Sequence, residues 1–173
     1  MLPNRAFVLG GAASGKSAYA ENLTYLYGKS RVYLATAQIF DDEMAAKKNR
    51  HLAQRGDDWT TIEEPFDAAT VLKQAGPDQV YLMDCATLWL TNHMLAEHDL
   101  DAEQDRLMRA MNTCKANLVV VSNEVGQGIV PDTTLGRRFR EAQGRLNIDL
   151  AKNCDLVVQI VAGLPNVLKG RLP

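Results

Sequence analysis

Short runs of β-branched and aliphatic residues punctuate this chain, and the stretches between them repeat their apolar positions every three or four residues. The short runs predict strands at Ala6 to Leu9, Arg31 to Ala35, Gln79 to Asp84, Leu118 to Ser122 and Leu156 to Val161. Several are apolar at consecutive positions, as strands covered on both faces are. The longer rhythm predicts helices over Lys16 to Tyr27, Asp42 to Arg55, Asp101 to Ala116 and Thr133 to Asn153. In the last of these Leu135, Phe139, Ala142, Leu146 and Leu150 mark out one apolar face. Leu107, Met108 and Met111 do the same for its predecessor. Strands alternating with helices imply right-handed βαβ crossovers, hence an α/β fold with a mostly parallel central sheet and helices on both faces. Such sheets bind ligands outside the carboxyl ends of their strands, so residues just after strands become the functional candidates.

A length of 173 residues fits a single domain spanning 1–173. The glycine and proline clusters at Gly76-Pro77, Gly126 to Pro131 and Gly163 to Pro165 fall between elements rather than between domains. Hydrophobic residues make up 46% and charged residues 23%, the composition of an ordinary soluble globular protein. A net charge of −2 offers no broad electrostatic footprint for nucleic acid. No apolar run reaches the roughly 18 residues of a membrane span, and the N-terminus is too short for a secretory leader. The expectation is therefore a cytoplasmic protein without a membrane anchor. Cys85, Cys114 and Cys154 stand singly in apolar surroundings, which suits buried thiols in a reducing compartment.

Chemistry enters with VLGGAASGKS, residues 8–17. Gly10, Gly15, Lys16 and Ser17 fit the pattern G-x-x-x-x-G-K-[ST], with a predicted strand before and a helix after. Backbone N–H groups of such a loop converge on phosphate oxygens, and the following helix adds its positive end. Gly11, Ala12 and Ala13 keep side chains out of the way, with Ser14 next in the loop. Lys16 would reach the outer phosphates, and the Ser17 hydroxyl would take one position on Mg²⁺. A carboxylate at the end of a neighbouring strand completes such a site, and Asp84, ending VYLMD, is the candidate; its alternative is a helix cap. Glu124, after LVVVSN, is either a catalytic base or a loop-capping carboxylate.

A second cluster lies in DDEMAAKKNRHLAQRGDDW. On a helix Lys47, His51 and Arg55 share a face, with Glu43 one turn earlier. Cationic neighbours disfavour an imidazolium, so they would hold His51 neutral, and a neutral imidazole beside a nucleotide can attack phosphorus. Spacing alone still describes an ordinary half-exposed histidine. His93 and His98, in TNHMLAEHD, read as structural or surface residues.

The blocks GGAASGKSAYAE, YLATAQIFDDEM, RHLAQRGDDWTTIEEP, LMDCATLWLTN and VSNEVGQGIVPDTTLGRRFREAQGRLN, in that order, resemble the bifunctional adenosylcobinamide kinase / adenosylcobinamide-phosphate guanylyltransferase family of cobalamin biosynthesis. The resemblance runs over nearly the whole chain. It implies a RecA-like P-loop fold, a homotrimer, and two reactions using ATP or GTP with Mg²⁺. One phosphorylates the corrinoid adenosylcobinamide. The other transfers GMP from GTP to adenosylcobinamide phosphate through a GMP–histidine intermediate. The family's histidine falls in a segment that here contains only His51, so the resemblance overrides the bland reading from spacing. It further implies nucleotide contacts at Gly10 to Ser17, at Ala35, Thr36 and Ala37, and at Leu52, Ala53, Gln54 and Arg55. Glu63 and Asp84 match further nucleotide- or metal-contacting positions. Two departures stand out: Ala13 replaces the family's usual arginine in the loop, and Lys47-Lys48 replaces an arginine and aliphatic pair. Without the resemblance, the loop equally suits a nucleotide-dependent switch or ATPase module, or a kinase of another small metabolite.

Overall fold

The computed structural model describes residues 1–38 and 58–173. The predicted helix Asp42 to Arg55, with Lys47, His51, Leu52, Ala53, Gln54 and Arg55, lies outside the described residues. Seven strands form one sheet: β1 (Arg5–Gly10), β2 (Ser30–Ala35), β3 (Trp59–Glu63), β4 (Gln79–Asp84), β5 (Asn117–Asn123), β6 (Leu156–Val161) and β7 (Leu164–Lys169). Their order across the sheet is β3-β2-β4-β5-β1-β6-β7. The first six pair in parallel, and β7 returns antiparallel beside β6. The described helices are α1 (Lys16–Tyr25), α2 (Ala68–Gln74), α3 (Ala86–Leu95), α4 (Leu100–Thr113) and α5 (Thr134–Asn153).

Side-chain alternation along the strands divides the core in two. On one face Phe7, Leu34, Met83, Leu118 and Val120 pack against Leu72, Trp89, Leu107, Met111, Leu146 and Leu150 from α2 to α5. On the other, Val8, Leu82, Val119, Val121 and Ile160 pack against Ala20 and Leu23 of α1. Each large buried side chain contributes about 1.5–3 kcal/mol relative to an exposed position. The two faces together fix the register that brings the C-terminal ends of β1, β4 and β5 to one edge of the molecule.

All five strands expected from the pattern are present, within two residues at either end. Four elements were not foreseen. The strand β3 reads WTTIE, too polar for a central strand, and it occupies a sheet edge where Trp59 stacks edge-on against Tyr25 and Tyr33. The seven residues of α2 give too few turns for a periodic signal. The helix α3, ATLWLTNHML, is buried at Ala86, Thr87, Trp89, Leu90, Asn92 and His93 and so lacks a polar face. The strand β7 contains Pro165 and is exposed along its whole length, which an edge position tolerates. The expected break at Gly163 to Pro165 is thus a turn that already enters β7. Finally, α4 stops at Thr113 rather than Ala116, because Cys114 turns into extended backbone.

Candidate active site

The phosphate loop leaves β1 at Gly10 and enters α1 at Lys16. Two of its residues take left-handed backbone, Ala13 at φ 54° and Gly15 at φ 91°. The second position is closed to larger residues: a Cβ on Gly15 would come within 3.2 Å of the Gly163 Cα. The turn between β6 and β7 presses on the loop there, and the Gly163 N–H donates to the Ser14 carbonyl at 2.8 Å. From inside the loop the Lys16 ammonium donates to the Gly11 carbonyl at 3.0 Å.

Several features suit this loop to an anion. No side chain caps the start of α1, and its first turn contains no acidic residue, so its N–H groups and positive end are not neutralised locally. The Ser14 hydroxyl is buried without a partner among the described residues. Ser17 is half-buried in the first turn of α1.

Asp84 ends β4, two strands from β1 with β5 between them. Alternation places it on the same sheet face as Leu82, Val119 and Val121, the face that α1 covers. The loop, Ser17 and Asp84 therefore share one face at one end of the sheet. Asp84 precedes the N-cap Cys85 of α3 and does not cap that helix itself. Ser17 and Asp84 are hard oxygen donors of the kind that hold Mg²⁺ together with phosphates and waters. Among the described residues no group of three His, Cys, Asp or Glu side chains forms a metal cage, and a phosphate-shared Mg²⁺ requires none.

The predicted triplet Ala35, Thr36 and Ala37 begins on the last residue of β2 and runs just past it. Ala35 is in register with Asp84 on one side and with Glu63 on the other. Ala37 is exposed. Thr36 is fully buried, its hydroxyl donating to the Cys85 carbonyl at 2.7 Å and accepting from the Cys85 N–H at 2.9 Å. Asn92 of α3 donates to the Thr36 carbonyl at 2.7 Å and to the Pro65 carbonyl at 2.9 Å. The Thr36 side chain thus fixes the chain beside Asp84. Glu63 ends β3 at the outer edge, four strands from β1, about 19 Å at the usual strand spacing. The structure puts Gly10 to Ser17 and Asp84 on one sheet face two strands apart, seats Ala35 and Thr36 next to Asp84, and leaves Glu63 remote from the loop.

Glu124 is a loop cap. Its two carboxylate oxygens accept from the Gly126 and Gln127 N–H groups at 2.7 and 3.2 Å. Its own N–H donates to the Gly10 carbonyl at 3.0 Å, tying this loop to the phosphate loop.

A polar network behind the site escaped the sequence-based reading. Ser122 of β5 donates to Asn147 of α5 at 2.8 Å and lies 3.3 Å from the Thr87 hydroxyl of α3. Gln143 donates to both Ser122 and Asn147 at 2.9 Å. The available signal was Gln143, a polar residue beside the apolar stripe of α5 that is fully buried. The three thiols behave as expected of inert cysteines: Cys85 and Cys154 are buried, Cys114 is half-buried, and none forms a disulfide. Burial raises all three above the ordinary thiol range, Cys85 to about 11 and Cys154 to about 12.

Similarity to known proteins agrees with this geometry. Among solved structures, the RadB recombinase matches with a TM-score of 0.52 at 18% identity, covering 91% of this chain and 74% of that one. An ATPase from a type III secretion system matches with a TM-score of 0.57 at 10% identity, covering 94% of this chain and 56% of that one. These distant likenesses establish the RecA-like P-loop fold. The bifunctional adenosylcobalamin biosynthesis protein CobP of Pseudomonas aeruginosa is 42% identical over 169 residues, 96% of this chain and 98% of that protein. Escherichia coli CobU, of the same description, is 37% identical over 174 residues, 91% of this chain and 95% of that protein. The family model for cobinamide kinase / cobinamide phosphate guanyltransferase matches residues 6–168, and the chain belongs to that family of adenosylcobalamin-biosynthesis enzymes.

Proposed function

We propose that this chain is one catalytic domain, 1–173, that runs both reactions of its family on one nucleotide site, with His51 as the covalent carrier of GMP. The observation that supports it most is the uncapped phosphate loop and Asp84 on one sheet face, in a chain matched by the family model from residue 6 to residue 168.

In guanylyl transfer the His51 imidazole attacks the α-phosphorus of GTP, a P–N bond forms and pyrophosphate leaves. The phosphate of adenosylcobinamide phosphate then attacks the same phosphorus, freeing His51 and giving adenosylcobinamide-GDP. Negative charge accumulates on the leaving pyrophosphate, which the loop N–H groups and the Lys16 ammonium would stabilise. In the kinase step the γ-phosphoryl of ATP or GTP moves to the corrinoid hydroxyl. That transfer depends mainly on positioning and on neutralising charge, which Lys16 and the loop supply. Mg²⁺ held by Ser17 and Asp84 would neutralise further phosphate charge. Leu52, Ala53, Gln54 and Arg55 would follow the nucleophile along the nucleotide, and Glu63 would contact its remote end.

Among the described residues no helix is long and apolar enough to cross a membrane. The homotrimer implied by the resemblance is part of the proposal; Leu164 and Leu168 of β7, 71% and 53% accessible, offer apolar surface for self-association.

The test is covalent capture. Incubation with α-phosphate-labelled GTP and Mg²⁺, without corrinoid, is expected to leave an acid-labile, base-stable label on the protein. The His51→Ala variant should retain none. An unlabelled wild-type protein that still phosphorylates adenosylcobinamide would overturn the guanylyl half of the proposal.

A further inference from the structure

Asn123, the last residue of β5, is in register with Gly10, the first residue of the phosphate loop. Two residues earlier, Val121 pairs with Asp84 across the β4–β5 ladder. Val119 and Val121 face the α1 side of the sheet, so alternation sends the Asn123 side chain to that side too. It therefore stands between Asp84 on β4 and the loop after β1.

Its backbone is held from two directions. The Asn123 N–H donates to the Thr87 hydroxyl at 2.8 Å, and the Asn147 amide donates to the Asn123 carbonyl at 3.1 Å. Ser122 and Gln143 anchor those two clamps in turn. Against this careful support, the Asn123 side-chain oxygen is buried and has no partner among the described residues. An unpartnered buried amide oxygen costs roughly 1–3 kcal/mol, and such groups survive where a function compensates for them.

We propose that Asn123 is a further catalytic residue of the kinase step, its side-chain amide contacting the γ-phosphoryl group and the hydroxyl that receives it. An amide suits that place because it offers an N–H donor to a phosphoryl oxygen and a carbonyl acceptor to the incoming O–H. Its neighbour Glu124 turns both carboxylate oxygens to the N–H groups of the following loop. The inference rests on the proposed nucleotide site. It assigns Asn123 to the outer phosphate, so guanylyl capture at the α-phosphorus should depend on it much less.

The experiment compares Asn123→Ala and Asn123→Ser with the wild-type full chain. Four quantities are measured: kcat and KM for adenosylcobinamide phosphorylation, ATP affinity, GMP labelling of the protein, and the thermal midpoint. The expected result is a fall in kcat of about 100-fold, the usual cost of one lost transition-state donor, with KM, ATP affinity and GMP labelling within about threefold. Kinase kcat within about threefold of wild type in either folded variant overturns the inference. So does a loss that tracks a fallen thermal midpoint and spreads equally to GMP labelling. If Asn123→Ala does not fold, Asn123→Ser decides by the same criteria. If neither folds, the residue is structural and the inference is wrong. A wild-type chain that fails to bind ATP would instead remove the nucleotide site itself.

Discussion

His93 shows how much one buried side chain can decide. The Phe66 carbonyl can only accept, so the His93 Nε2 at 3.0 Å from it carries the proton. Its Nδ1 is then bare and accepts from the His98 Nδ1–H at 2.9 Å. Burial against Trp89 and Phe66 lowers the His93 pKa below the ordinary histidine value; His98 and Arg106 add to this, while the Phe66 carbonyl and Glu103 oppose it. The unfolded chain, with ordinary histidine near 6.5, thus binds more protons than the native state just below that pH. Native stability should hold above about pH 6.5 and decline as the pH falls through the window beneath it. Denaturant unfolding between pH 7.5 and 5.5 measures this, and the slope should shrink in His93→Gln. A slope unchanged in that variant would assign it elsewhere. The sequence reading treated His93 as structural or surface, and the structural half of that was right. Its near-complete burial was invisible because α3 carries no polar face from which an inward side could be inferred.

At the scale of elements, the long helix α5 carries half of the polar network behind the site. It begins at Thr133, whose hydroxyl accepts from the Gly136 N–H at 3.1 Å. Removing that cap in Thr133→Ala should cost about 1 kcal/mol, read as a lower denaturant midpoint at constant slope. Because the cap stands more than two turns from Gln143 and Asn147, kinase kcat should not change. This helix was legible from its apolar spacing almost to the residue, as were the five central strands. The strands β3 and β7 were not, because edge strands are only half-committed to a core and carry little hydrophobic signal. The helices α2 and α3 failed for opposite reasons, one too short and one apolar all round.

For the whole molecule, the order β4-β5-β1 sets the geometry of catalysis. Inserting β5 between the Asp84 strand and the loop strand places Asn123 between the two site components. On the proposal that one phosphate loop serves both transfers, Lys16→Ala should abolish adenosylcobinamide phosphorylation and GMP labelling together, whereas His51→Ala should remove labelling and spare phosphorylation. Separate loss of the two activities in Lys16→Ala would argue for two nucleotide sites. What the sequence by itself determined is local: the G-x-x-x-x-G-K-S turn, the strand that ends on Asp84, and the alternation of strands and helices, all readable because each rests on neighbours in the chain. Tertiary structure decided the rest. That Thr36 fixes the chain beside Asp84, that Gly163 presses on Gly15, and that Asn123 faces the phosphate loop all follow from the lateral order of the strands. Strand order arises from packing between residues far apart along the chain, so no local stretch encodes it.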